Sequence, residues 1–506
     1  MPMVRANRLD GRCVLTGALL VLSVLFLCCD VNGDDWFMID HGRDIIENGF
    51  YRSTDFLSIH DWLPFMHQKW AMCLLVYGAY SWAGVWGMRA LMIVLIMGLV
   101  LALYMLVNRL YPDGRWHNSV YIFAFIVLGC HRYLISLRPH IFSAGMIAVE
   151  LYVLERYTRG YIKHGRLYGT LFIASLVTMW LHSTMWYACL IPVLPYLCEN
   201  RFVSRYVRFI DGDAGMPVRV RAACVAALLA GGVLNPEGVG IFRYLAVTVT
   251  AGSGADYPWI GELRPMPVLL YYNELGIMGW MWLGGLAAPC VMALIRGRIR
   301  QRDAYLLAGS VLMPMVSFRL LFYSYVILVF VAASLGHDAG DKDNTIRDAA
   351  GLIGLSVCGM LLLFGFARNY GAYVDYDMRH AAISSIVDFI KSDSDDASVL
   401  FLDPSMASYA EHLGVRCFLD CRAELFSASD VNGHSPAGDI SDLIYGTWRG
   451  NALDISGVQE FVDYYGLDYF VVYDRNGPYG TEYINMLVEI GERVPDLDGG
   501  YALYRL

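Results

Sequence analysis

The chain has 506 residues, of which 57% are hydrophobic and only 17% charged, with a mean hydropathy of +0.44. Soluble domains run at about 45–50% apolar and about 25% charged, so both departures exclude an ordinary soluble globule and point to a bilayer. A formal charge of −9, with no basic tract interleaved with aromatics, excludes nucleic acid as a partner.

Apolar runs place spans near 13–29, 89–107, 119–134, 141–155, 167–181, 185–198, 222–234, 275–295, 304–317, 320–336 and 348–367. That is about eleven crossings, several of them short for a hydrocarbon core that takes ~20 residues. The first run, behind Arg5 and Arg8, has the layout of a signal peptide. Leu27 is too large to precede a lipoprotein cysteine at Cys28, so the run reads as an uncleaved span. The run 67–83 opens with His67, Gln68 and Lys69 and is interrupted by Gly78 and Gly84. It reads as a helix in the interface, because a twelfth crossing there would turn most basic loops outward. Without it, Arg109, Arg115, Arg156, Arg159, Arg166, Arg201, Arg219, Arg296, Arg300 and Arg302 all face the cytoplasm, as Lys and Arg do. The outer side then receives Asp34, Asp35, His67, Arg138, His140, His182, Glu262, Arg264 and Arg319. Ionisable groups at membrane depth are costly and are functional candidates by default; for any one of them, interfacial snorkelling is the plain alternative.

The chain therefore divides into a membrane domain, 1–369, with outer loops 30–88 and 235–274, and a soluble extracytoplasmic domain, 370–506. The first outer loop carries Asp34-Asp35-Trp36-Phe37-Met38-Ile39-Asp40-His41-Gly42 and continues to Gly49. Trp36, Ile39 and Ile46 share one helical side; Asp40, His41, Arg43, Asp44 and Glu47 fall largely on the other. That pattern predicts an amphipathic helix lying on the bilayer and ending at Gly49. Asp34 and Asp35 stand at its start, where a carboxylate either caps the helix or serves as a general base. Transfer of a sugar from a lipid phosphate needs such a base. It also needs positive charge on the departing phosphate, from arginine or a metal ion.

At these residues the sequence resembles the C-type glycosyltransferase superfamily, polytopic membrane enzymes that include protein O-mannosyltransferases and lipid A aminoarabinose transferases. Asp34, Trp36, Phe37, Gly42, Ile45, Glu47 and Gly49 carry the opening motif. Thr54-Asp55-Phe56-Leu57-Ser58 and His67-Gln68-Lys69-Trp70 follow it, and Phe418-Leu419-Asp420-Cys421-Arg422-Ala423-Glu424-Leu425 resembles a recurring tail segment. Between them lie Leu137-Arg138-Pro139-His140, Trp180-Leu181-His182, Ile260-Gly261-Glu262-Leu263-Arg264-Pro265 and Arg319. Met38 stands where a His is usual, and Cys421 replaces a Gly. The resemblance runs nearly end to end. It implies a polytopic α-helical fold with juxtamembrane helices, a polyprenyl-phosphate sugar donor and a glycan, lipid or protein acceptor. It also implies a plasma-membrane location and Asp34 as the catalytic acid of the first loop.

The remaining candidates follow from residue chemistry. Arg138 and His140 flank Pro139, which turns the chain; arginine there suits bidentate phosphate contact. His182 ends a span on the outer side, as a base, a ligand or an interfacial residue. Arg264 and Arg319 are further phosphate candidates. Glu262 joins Asp34 and Asp35 as a candidate set for a divalent cation such as Mg or Mn, which the sequence does not require. Cys417 and Cys421 could meet if their domain lies in an oxidising compartment.

In the tail, Met378 to Ile390, Ile455 to Tyr465 and Glu482 to Ile490 have helical spacing. Ser398 to Leu402, Arg416 to Leu419, Leu467 to Tyr473 and Tyr501 to Tyr504 read as strands, giving a small α/β domain. It has no Gly-rich nucleotide fingerprint, which disfavours a nucleotide-sugar donor. Two other classes compete with the enzyme. One is a lipid or solute transporter, which predicts inverted repeats with broken spans. The other is a non-catalytic relative that binds glycan or assists assembly.

Overall fold

The computed structural model describes residues 31, 33–112, 115–130, 136–198, 207, 209–212, 215–251, 264–337, 377–422, 425–473, 481–494 and 500–506. The expected spans 13–29 and 348–367 lie outside the described residues, as does Glu262. The chain folds as two compact units. One comprises 1–29, 86–249 and 260–370; the other comprises 30–85, 250–259 and 371–506.

The first unit is helical. Helices Arg115–Cys130, His140–Thr158, His164–His182, Val218–Val233, Gly276–Arg296, Gln301–Val316 and Leu321–His337 fall on or beside expected spans. Among the described residues three helices are long and apolar enough to cross a membrane: Trp70–Leu110, Gly276–Arg296 and Phe318–His337. The apolar helix Leu321–His337 is buried on all sides through Leu335, as a central bundle helix must be. It packs on helices 115–130, 140–158, 276–296 and 301–316. The expected span 185–198 is not one helix. A 3₁₀ helix, Ser183–Leu190, is followed by a four-residue helix, Leu194–Leu197. Pro192 and Pro195 remove backbone donors in this stretch and prevent a continuous α-helix. Within the loop 235–274 a helix runs over Gly240–Ala251.

Helix Trp70–Leu110 is interrupted at Ala83 and Gly84, the latter with φ 58° and ψ −141°. Only glycine adopts that conformation without steric cost. The run 70–82 is thereby separate from the apolar stretch that follows.

The second unit joins the first outer loop to the C-terminal residues. Its five-stranded sheet holds β1 (Ser398–Phe401), β2 (Arg416–Cys417), β3 (Tyr469–Tyr473), β4 (Glu492–Arg493) and β5 (Tyr501–Arg505), in the order β2-β1-β3-β5-β4. The pairs β1–β2 and β1–β3 are parallel; β3–β5 and β4–β5 are antiparallel. Ile383, Ile386, Val387 and Ile390, from the helical stretch 377–393, share one core with Val399, Phe401, Met406 and Leu503. Strand β1 alternates less than a two-sided strand would and is buried at three of its four residues, as a central parallel strand should be.

The first-loop helix spans Gly33–Asn48. Its expected solvated side is largely buried: Asp40, His41 and Asp44 are as inaccessible as Trp36 and Ile39. Helix Pro404–His412 packs along it. Across the helix, Gly42 meets the run 70–82 so closely that an added Cβ would lie 2.3 Å from the Cys73 carbonyl oxygen. It would also lie 2.6 Å from Tyr77 Cβ. Gly42→Ala should therefore lower the melting temperature of the purified protein, by about 1–3 kcal/mol of overpacking. Alanine's better helix propensity, worth about 1 kcal/mol, offsets only part of that. An unchanged or raised melting temperature would contradict this close approach.

Candidate active site

In the loop unit, Asp34 and Asp35 occupy the first turn of the helix Gly33–Asn48. Carboxylates are stabilised there by the unpaired N–H groups and the helix dipole. The two differ in access. Asp34 is half-buried, whereas Asp35 is completely buried. The start of this helix is fixed by close contact. A Cβ on Gly33 would fall 2.5 Å from Cys421 Sγ and 2.6 Å from Ser405 Cα. Asp34 is near enough to Cys421 that its charge, after burial, helps push that thiol's pKa up. Cys417 and Cys421 are free thiols, so the expected pairing is not made.

The loop is anchored by a buried ionic cluster. Arg422 forms ion pairs with Asp55 and Asp420, and its Nη2 lies 3.9 Å from Glu411 Oε2. All four side chains are almost wholly inaccessible. Burial raises the pKa of Asp55, but the Arg422 charge and hydrogen bonds from Ser58 outweigh it and hold the carboxyl below its ordinary value. Burial, reinforced by Asp420, pushes Glu411 well above the usual carboxylate range. One guanidinium thus faces three carboxyl groups, and its ion pairs with Asp55 and Asp420 compensate its own buried charge. Backbone contacts extend the anchor. The Ile59 N–H donates to the Cys417 carbonyl at 3.1 Å, and Arg416 Nη2 donates to the Ile59 carbonyl at 3.2 Å.

Two further contacts brace the helix. His412 Nδ1 lies 3.0 Å from Asp40 Oδ1, and its Nε2 lies 3.4 Å from the Tyr80 hydroxyl. The Trp36 ring packs on Tyr409, His412 and His380, and its N–H donates to His380 Nε2 at 3.2 Å. His67 is turned toward His41, with 2.9 Å between His67 Nδ1 and His41 Nε2. It belongs to the packing under the helix, with Phe50 and Phe65 beside it. Sequence reasoning missed Asp40 and His412 because their partnership joins positions 372 residues apart.

In the helical unit, Pro139 caps the helix that begins at His140, so Arg138 sits in a turn just ahead of it. The His140 ring stands edge-on to Phe322. From the neighbouring helix His182 reaches Ser143, 2.9 Å from Nδ1 to Oγ. Arg319 lies within electrostatic range of Tyr187 and Tyr323. Arg264 is bound by Glu274 through two contacts of 2.9 and 2.8 Å. Its carbonyl accepts from the Phe318 N–H at 3.0 Å, so the Arg264 backbone adjoins the residue before Arg319. Among the described residues no three His, Cys, Asp or Glu side chains converge as a metal site.

No family model and no curated protein sequence matches the chain. Solved structures do. ArnT from Cupriavidus metallidurans in the apo state aligns over 99% of this chain and 98% of its own, with a TM-score of 0.56 at 13% identity. The same protein bound to undecaprenyl phosphate aligns over 98% and 97%, with a TM-score of 0.53 at 12% identity. An oligosaccharyltransferase from Archaeoglobus fulgidus, tethered to an acceptor peptide, aligns over 91% of this chain and 69% of that one. Its TM-score is 0.55 at 12% identity. The mycobacterial arabinofuranosyltransferase AftD aligns over 98% of this chain, which spans 40% of AftD's length, with a TM-score of 0.53 at 13% identity. The chain is a membrane protein with the fold of the C-type glycosyltransferases, and the resemblance read from its motifs is also a resemblance of architecture.

His60 reports on the anchor. It is buried, and its Nε2 donates to the Phe418 carbonyl at 2.9 Å. Burial pushes its pKa down from 6.5 to about 4. A histidine held neutral in this way favours the folded state above pH 6.5, and that contribution is lost as the pH falls toward 4. Wild type should thus lose up to about 3 kcal/mol more stability across this window than His60→Gln, whose amide keeps a donor but does not titrate. Parallel pH–melting curves for the two proteins would contradict a neutral, buried His60.

Proposed function

We propose that the chain is a C-type membrane glycosyltransferase that takes its sugar from a polyprenyl phosphate and acts on the extracytoplasmic face. The observation that carries this reading is a half-buried carboxylate, Asp34, at the start of the first-loop helix of a chain with this fold. Asp35 beside it is shut away from any reactant, which favours Asp34 as the base. The named activities and ligands of the structural neighbours, undecaprenyl phosphate and an acceptor peptide among them, support the same reading.

In the proposed reaction Asp34 accepts the proton of an acceptor hydroxyl. The hydroxyl oxygen attacks the anomeric carbon, and the bond to the lipid phosphate breaks, with inversion at that carbon. The phosphate leaves as an anion and needs no strong acid, only positive charge to hold it. Arg138 and Arg319 are the arginines proposed for this task, with His140 and His182 as hydrogen-bonding neighbours. Arg264, engaged by Glu274, is better suited to shaping the backbone before Arg319 than to clamping a phosphate. The sugar, the acceptor and the length of the lipid are for assay to identify.

The test is transfer from a panel of polyprenyl-phosphate sugars by purified wild type beside Asp34→Asn. Loss of a general base costs about 10²–10⁴-fold in rate. Asp34→Asn should show that loss at unchanged protein level and melting temperature. Activity within twofold of wild type would remove Asp34 as the base.

A further inference from the structure

The helical unit buries an acid that the transfer reaction does not use. Glu150 lies in the helix His140–Thr158, ten residues from its start and thus about 15 Å along it. That is half the thickness of an apolar membrane core of about 30 Å. Its side chain is completely buried, and among the described residues neither carboxyl oxygen has a hydrogen-bond partner. No described Arg, Lys or His pairs with it; the side chain that acts on it is the Cys189 thiol. That thiol donates elsewhere, to Thr178 Oγ1 at 3.2 Å.

Cys189 belongs to the 3₁₀ helix Ser183–Leu190, which packs against the helix carrying Glu150. Continuing the 3₁₀ turn would bring the N–H of residue 192 to the Cys189 carbonyl, and an α-helical continuation would bring that of residue 193. Residue 192 is a proline and has no N–H. The Val193 N–H goes to the Leu190 carbonyl at 3.2 Å. The Cys189 carbonyl therefore loses both of its ordinary donors. Beside an acid with two unpartnered oxygens the chain thus places a residue whose carbonyl is released from helical hydrogen bonding, with the Thr178 hydroxyl next to it.

Acceptors outnumber donors at this point, and their chemistry decides what satisfies them. A proton on Glu150 would remove its charge but bring no donor to its second oxygen or to the Cys189 carbonyl. A water molecule would bring donors but leave the charge in an apolar setting, which is costly unless the charge is paired. A cation meets both needs, because it neutralises the carboxylate and takes neutral oxygens as further ligands. One carboxylate balances one positive charge, so a divalent ion would leave a net charge buried. Interrupted helices of membrane proteins hold such ions through carbonyls freed in this way.

We propose that Glu150 and the Cys189 carbonyl hold a monovalent alkali cation inside the helical unit, with the Thr178 hydroxyl as a further oxygen ligand. The ion ties the helix His140–Thr158 to the broken segment 183–197. The site is independent of the transfer reading, since none of its residues belongs to the proposed catalytic set.

The experiment follows the melting temperature of the full-length protein in neutral detergent and a buffer free of alkali ions. Lithium, sodium and potassium chloride are each titrated against choline chloride at matched ionic strength. A saturable rise with an alkali cation, and not with choline, supports the site. Glu150→Gln keeps the shape of the side chain and removes its charge. It should weaken the apparent Kd about thirtyfold or more, as loss of one partner of a buried charge pair does. Asp211→Asn, at a carboxylate of the same unit that is 55% exposed, should leave the Kd unchanged. No rise with any alkali cation in wild type would overturn the proposal, and is the result that a Glu150 neutralised by a proton predicts. So would an undiminished rise in Glu150→Gln, which would mark a general salt effect, or a rise with magnesium or calcium alone. Melting of each variant in choline separates a folding defect from lost binding, and the wild-type titrations decide the question without any variant.

Discussion

The loop unit depends on one buried guanidinium. Arg422 reaches from the strand-rich tail to Asp55 in the first loop, and the same side chain neutralises Asp420 beside it. Charges out of water are stable only when paired and hydrogen-bonded. Once Arg422 and Asp55 are both enclosed, neither segment can move away without exposing the other's charge to an apolar environment. The loop is therefore held against the sheet, which its described residues meet through an isolated bridge, Ser58 to Cys417.

This constraint sets the conditions for the proposed chemistry. A general base must be held at one place, and residues on loops are held only as well as their supports. The helix that carries Asp34 is fixed at its start by Ser405 and Cys421 and in its middle by His412 against Asp40. On its other side, Gly42 lets the backbone of the run 70–82 come close. The tail domain accordingly does more than cover the loop. It supplies the groups that locate the half-buried carboxylate of Asp34.

Much of the architecture was legible in the sequence because its signals are local. Apolar runs located most helices of the helical unit, and period-two and helical patterns located most of the elements of the small α/β unit. Where local rules conflicted, the reading failed. The apolar composition of 185–198 suggested a span, but its two prolines decided the structure. The polar side of the first-loop helix suggested solvent, because a sequence pattern does not distinguish water from a buried polar partner. Asp40, His41 and Asp44 meet such partners instead. Asp34 was legible as a candidate from its place in a motif, and its difference from Asp35 only from burial. The segments around Asp55 and Arg422 were each recognisable, but their pairing spans 367 residues and leaves no trace in either one.

A double-mutant cycle on Asp55→Asn and Arg422→Gln tests the anchor most directly, read as unfolding free energy of the purified protein in detergent micelles. Residues in one buried ionic network couple by about 0.5–3 kcal/mol. The account predicts coupling in the upper half of that range, because the second substitution removes a charge that the first has already orphaned. Losses that simply add, within about 0.5 kcal/mol, would contradict it and leave the first loop without the anchor on which the placement of Asp34 depends.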